Sequence, residues 1–140
     1  MTSLAAAPLP ASASFRSLLA FDFGTRRVGV AVGSTFLRQA RPLKTLSLQH
    51  QARFDAIGAL LVEWQPDALV VGVPFHPDGA EHENTRLARR FARQLRGRFG
   101  LPVHEVDERY TTTEALAAGA ADVDAASAAL ILDQYLRETE

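Results

Sequence analysis

"LLAFDFGTRRVGVAVG", residues 18–33, decides how the rest of the chain is read. The run 18–23 is apolar except for Asp22 and is bounded by Gly24, which predicts a strand. "RVGVAVG", residues 27–33, predicts a second strand, and the few residues between the two predict a hairpin. On the first strand Asp22 alternates with Leu18 and Ala20, while Leu19, Phe21 and Phe23 point to the other face. A carboxylate at the centre of such a strand is costly unless it is salt-bridged, hydrogen-bonded or bound to a cation. One reading is an ion pair with Arg26 or Arg27. The other is a metal-binding or catalytic role.

Working outward, "ARPLKTLSL" (40–48) predicts a weaker third strand, placed at an edge because Pro42 cannot donate to a ladder. From Gln51 the period changes. Phe54, Ile57, Leu60, Leu61 and Trp64 recur at helical spacing until Pro66. "ALVVGVP" (68–74) reads as a buried parallel strand, and "HPDG" (76–79) as a turn. A helix follows from about residue 81 to Phe99, with Leu87, Phe91 and Leu95 as its apolar stripe and several arginines elsewhere; Gly100 and Pro102 end it. "PVHEVDE" (102–108) predicts another strand. "TTTEALAAGAA" predicts a short helix, and residues 124–138 a final one. The order β-β-β-α-β-α-β-α(α) predicts an α/β fold with a five-stranded mixed sheet covered by helices, the order of ribonuclease H-like folds.

The chain has 140 residues, the size of one domain, and no apolar run long enough to span a membrane. Residues 1–17 are rich in Ala, Pro and Ser and lack the pattern of a signal peptide, so they are expected to be a disordered tail before a domain over 18–140. Without cysteine there is no disulfide scaffold and no thiolate site, and a cytoplasmic location is the simplest expectation. The net charge of −1 hides an uneven distribution. Residues 1–50 carry six basic residues against Asp22 alone, residues 86–98 six arginines and no acid, and residues 99–140 nine acids against two arginines. An acidic centre flanked by basic segments suits metal-dependent chemistry on a polyanion; ion pairing within the globule is the alternative.

Two further places hold acids. "VDERYTTTEA" (106–115) puts Asp107 and Glu108 at a strand end, where sites of parallel sheets collect, and only one of two adjacent strand residues faces a given side. Thr111 and Glu114 have the spacing of a capping box, which leaves Asp107, Glu108 and Arg109 unexplained. "DVDAASAALIL" (122–132) puts Asp124 at a helix start, as an N-cap, a site carboxylate, or both. Carboxylates drawn from separate elements suit Mg²⁺ or Mn²⁺. The four histidines have no mutual ligand spacing, and His104 reads as a strand residue.

"LLAFDFGTRRVGVAVG", "ALVVGVPFHPDG", "VHEVDERYTTTEA" and "VDAASAALIL" together resemble the YqgF (RuvX-like) family, over about residues 18–137. The resemblance implies a ribonuclease H-like fold related to Holliday-junction resolvases. It also implies a bacterial cytoplasmic nuclease that helps mature the 5′ end of the small-subunit ribosomal RNA precursor. The family's first-strand acid falls on Asp22, its D-E-R-x-[ST]-T acid on Glu108 with Asp107 beside it, and its late acid on Asp124. This chain departs from the family in a short segment between Glu114 and Asp124, in H-P-D-G-A after the fourth strand, and in carrying Gly72 where the resolvases carry an acid. Glu108 on the next strand is the expected substitute.

The expected mechanism has Asp22, Glu108 and Asp124 holding one or two Mg²⁺ or Mn²⁺ ions, with Asp107 as a further candidate ligand. Water activated by the metal attacks phosphorus in line. Arg26, Arg27, Lys44 and Arg109 are the expected phosphate-binding residues, with the 86–98 helix either extending that track or forming a solvated, ion-paired face. The expected partners are precursor ribosomal RNA, branched DNA or ribosomal particles, with no membrane, and the chain is expected to be a monomer or weak homodimer. Three rivals stand beside this reading. One is structure-selective cleavage of DNA junctions. Another is a non-catalytic ribosome-assembly or transcription-associated factor. The third is an actin-like or sugar-kinase ATPase, whose first phosphate loop also reads D-x-G-T-x-x-x-G but which needs a second domain.

Overall fold

The strand that carries Asp22 lies at the middle of the sheet. A computed structural model describes residues 15–110 and 119–139. In it β1 (Ser17–Phe23), β2 (Val28–Ser34), β3 (Gln39–Leu46), β4 (Ala68–Val73) and β5 (Val103–Asp107) form one five-stranded sheet in the order β3-β2-β1-β4-β5. The β1–β2–β3 meander is antiparallel, and β4 and β5 run parallel to β1, as each follows a helical crossover. Helix α1 (His50–Trp64) precedes β4, α2 (Glu83–Phe99) precedes β5, and α3 (Val123–Glu138) closes the order.

Alternation along β1 divides the core in two. Leu19 and Phe21 pack with Phe54, Ile57 and Leu60 of α1 and with Phe91 and Leu95 of α2. Leu18 and Ala20 pack with Ile131, Leu132, Tyr135 and Leu136 of α3. Asp22 belongs to the second set, so its side faces α3. β4 is buried at every residue, as a strand covered on both faces must be.

Several boundaries differ from the sequence expectation. β1 starts at Ser17, and the backbone N–H of Arg16 already bonds Thr35 Oγ1 at 2.9 Å. β3 is the edge strand, and the register with β2 shifts between Val30 and Ala31, where Pro42 faces Ala31. The bulge takes up the missing donor. α2 starts at Glu83 because His82 caps it: His82 Nδ1 accepts from the Asn84 N–H, and Thr85 Oγ1 accepts from the His82 N–H, each at 3.1 Å. Its core face is Thr85, Ala88, Phe91, Ala92 and Leu95; Leu87 is only half-buried. Residues 1–14 of the tail expected over 1–17, the Thr111–Glu114 box and most of the short helix expected after Tyr110 lie outside the described residues, while Ser17 already belongs to β1. Among the described residues no helix is long and apolar enough to cross a membrane.

Candidate active site

Asp22 sits one residue from the end of β1, between two glycines. Across the antiparallel ladder its partner is Gly29. On the parallel side the register pairs Phe21 with Val71, so the next step sets Asp22 beside Gly72. Each glycine makes room for a second acid. A Cβ on Gly29 would stand 1.9 Å from the backbone oxygen of Asp124, so only glycine lets the first turn of α3 rest on β2. A Cβ on Gly72 would stand 3.0 Å from the carboxyl carbon and from Oε2 of Glu108, and 2.5 Å from Ile131 Cδ1. Glu108 reaches there because β5 stops at Asp107 and a 3₁₀ turn, Glu108–Tyr110, follows. The chain thus turns Glu108 over β4, onto the α3 side of the sheet.

The electrostatics follow from this grouping. Burial, and then the negative charge of Asp124, push the Asp22 carboxyl up to about 7. Burial, then Asp22 and then Asp107, push Glu108 up to about 8. Among the described residues Asp22 has no ion pair. The alternative reading, an ion pair with Arg26 or Arg27, is not formed; Arg27 Nε instead bonds Asp124 Oδ2 at 2.9 Å. Nor is Asp124 the helix cap. Asp122 holds that position, accepting from the Ala125 N–H at 3.0 Å, and Thr45 Oγ1 of β3 donates to the same carboxylate. Asp124 is thereby released from capping and stands in the first turn of α3.

The other expected site residues divide. Asp107 is occupied by Arg109, whose Nε and Nη2 lie 3.0 and 2.7 Å from Oδ2 and whose N–H lies 2.9 Å from Oδ1. That pairing holds the Asp107 carboxyl below its ordinary range, against an opposing push from burial. Arg109 also lies 5.4 Å from the centre of the Phe75 ring. Arg26 and Lys44 are exposed, on the β1–β2 loop and on β3. His104 packs against Tyr135, as a strand residue does. The arginines of α2 also separate. Arg86 pairs with Glu83, Arg89 with Glu81 and Glu105, and Arg96 with Glu105, while Arg90 and Arg98 turn toward α1.

Three carboxylates of this kind suit a hard divalent cation, since all the donors are oxygens and two of them lack compensating positive charge among the described residues. As placed, no three such side chains among the described residues stand at ion-holding spacing, with Asp124 drawn to Arg27. Sequence reasoning found the acids and noted Gly72 as a position without one, but it missed Gly29 and the space that both glycines leave for the acids to converge. An isolated glycine inside a strand was the available signal.

Comparison with known proteins shows the family and the fold. A protein of Polaromonas sp. named "Putative pre-16S rRNA nuclease" is 62% identical over 135 residues, covering 96% of this chain and 97% of that one. One of the same name from Albidiferax ferrireducens is also 62% identical, over 93% of this chain and 83% of that one. Among solved structures, Thermus thermophilus RuvC in complex with a Holliday junction substrate has a TM-score of 0.52 at 18% identity, covering 88% of this chain and 96% of that one. At that identity the likeness establishes the fold, which is ribonuclease H-like. The sequence model of the family RuvX, described as Holliday junction resolvase, matches residues 16–138, and the chain belongs to that family.

Proposed function

We propose that this protein is a nuclease that hydrolyses phosphodiester bonds in the precursor of the small-subunit ribosomal RNA, with Asp22, Glu108 and Asp124 as its catalytic carboxylates. The observation that carries the reading is the crowding of Glu108 and Asp124 around the half-buried Asp22, which has no ion pair among the described residues, at the carboxyl end of β1. Like charges held together at a fold's expense mark a site that binds positive charge. The names of relatives 62% identical supply the substrate.

In this reading the three carboxylates hold Mg²⁺ or Mn²⁺. A bound divalent cation supplies charge that polarises the scissile phosphate and eases deprotonation of the attacking water. The protein's own groups do the rest. Asp22 on β1 and Glu108 in the turn that follows β5 fix the positions of the donors. Arg27 neutralises Asp124 until substrate arrives, and with Arg26 it offers guanidinium N–H groups to phosphate oxygens. Water forms the new P–O bond as the opposite ester oxygen leaves in line and takes up a proton. No covalent bond to the protein is needed. The reading includes a cytoplasmic location.

The test is cleavage of precursor ribosomal RNA fragments, plain single-stranded RNA and a four-way DNA junction, with Mg²⁺ or Mn²⁺, by wild type beside Asp22→Asn and Glu108→Gln. Cleavage lost in both variants and with chelator supports the site; cleavage that survives in both removes it. The family's description favours one second reading, junction resolution, and preferential cutting of the DNA junction would select it.

A further inference from the structure

On the opposite face of the sheet, at the same strand end, lies a pocket of about 350 Å³ between α1 and α2. Its floor includes Phe23, the residue after Asp22, and Phe54. Its polar lining is basic: His50, Arg53, Arg90 and Arg98 contribute, and no carboxylate does. Arg53 is the decisive member. Its side chain is only 6% exposed, yet it has no carboxylate partner among the described residues. Its Nε and Nη2 donate to the carbonyls of Leu48 and Thr25, at 2.9 and 3.1 Å, and its guanidinium lies 5.5 Å from the centre of the Phe23 ring, so the charge is met by dipoles and a ring face but by no anion among the described residues. Burial accordingly pushes the Arg53 pKa down. A buried cation without an anion is an expensive feature, and removing its partner is what usually makes it so.

Two independent features add to the same potential. The N-terminus of α1 opens beside the pocket through His50 and Gln51. Its cap residue Gln49 makes no side-chain capping bond, and its first turn has no acid. On the other wall stand Arg90 and Arg98, two of the three α2 arginines, with Arg93, that pair with no glutamate among the described residues. Arg98 lies over the Phe54 ring at 4.0 Å and donates to Gln51 Oε1 at 3.2 Å. The Arg53 bond to the Thr25 carbonyl ties this pocket to the β1–β2 loop, whose Arg27 holds Asp124.

We propose that this pocket receives a backbone phosphate of the substrate strand, flanking the bond cut at Asp22, with Arg53, Arg90 and Arg98 as its ligands. The proposal rests on the reading of the chain as a nuclease of RNA. The strand passes around the carboxyl end of β1, with the scissile bond on the α3 side and the flanking phosphate on the α1–α2 side. Phosphate supplies the negative charge that Arg53 lacks. Arg53 then holds the loop that carries Arg26 and Arg27.

The experiment measures affinity for a labelled single-stranded RNA across a salt series, with chelator present so that the strand stays intact. Arg90→Glu reverses a charge at the exposed rim, and Gln94→Trp fills the pocket without changing charge. Both variants are expected to weaken binding about three- to tenfold, and Arg90→Glu to lower the salt slope by about one. Hydrolysis of a small chromogenic phosphodiester, too short to reach the pocket, is expected to be unchanged. Unaltered RNA affinity in both variants overturns the proposal. So does weakening by Arg90→Glu alone, which would reflect only the general field. Adenosine monophosphate that stabilises wild type but not Gln94→Trp, with RNA affinity unaffected, overturns it in favour of a free nucleotide. If wild type cleaves nothing while both variants still weaken RNA binding, the nuclease reading fails and the pocket stands.

Discussion

The Glu108 carboxyl group lies against the bare Cα of Gly72, and a methyl group there would stand 3.0 Å from its carboxyl carbon. A strand position that offers no acid of its own is thereby filled by the acid of the next element. Gly72→Ala is expected to displace Glu108 and to lower cleavage by at least tenfold. The nearby Ile131 end can rotate, so the stability loss should be about 1–2 kcal/mol. Gly97→Ala, in α2 with nothing within 4 Å, serves as the control, gaining about 0.5–1 kcal/mol with full activity. Urea denaturation beside rate measurement separates the two.

Asp22 and Glu108 should make the metal-free protein less stable as pH rises. In the fold they titrate at about 7 and about 8, against 3.8 and 4.5 ordinarily. The folded chain therefore keeps protons that the unfolded chain has released. That contribution is complete below about pH 4 and is lost as pH climbs through 7 and 8. Asp22→Asn removes part of the penalty, so with chelator at pH 8.5 it should be about 2 kcal/mol more stable than wild type while cleaving nothing. Equal stability at that pH would show that Asp22 is better solvated than its neighbours imply.

Adding Mg²⁺ should stabilise wild type more at pH 8.5 than at pH 6, because the cation competes with those same protons. At a hundred times the dissociation constant the gain is about 2.7 kcal/mol, and Asp22→Asn should show little of it. Thermal melts with and without chelator read this directly, without any assay of cleavage.

Asp122→Ala removes the cap of α3 and its bond to Thr45, and should cost about 1 kcal/mol. The larger effect is expected on cleavage, since the cap fixes the turn that carries Asp124. Asp122→Asn retains an acceptor and should restore most of both.

The sheet was legible because its signals are local. The alternation on β1 put Asp22 on the face of Leu18 and Ala20, and Pro42 marked β3 as an edge. What escaped depended on partners far along the chain. Asp122 and Asp124 are equally good caps by composition, and only the reach of Thr45 separates them. Nothing near Arg27 announces Asp124 as its partner, and the arginines of α2 sort themselves by where Glu81 and Glu105 stand. Gly29 and Gly72 look like weak points of strands until the space above each is filled by another element.

The candidate acids come from the first strand, the turn after the last strand and the final helix, so no local segment contains the site. Contacts this distant carry a large loop-closure cost and are slow to form. Undocking α3 alone removes Asp124 and uncovers Gly29, while the sheet and the other two helices keep their own core. A chain with α3 undocked would therefore keep its sheet and hold only two of the three candidate carboxylates in place.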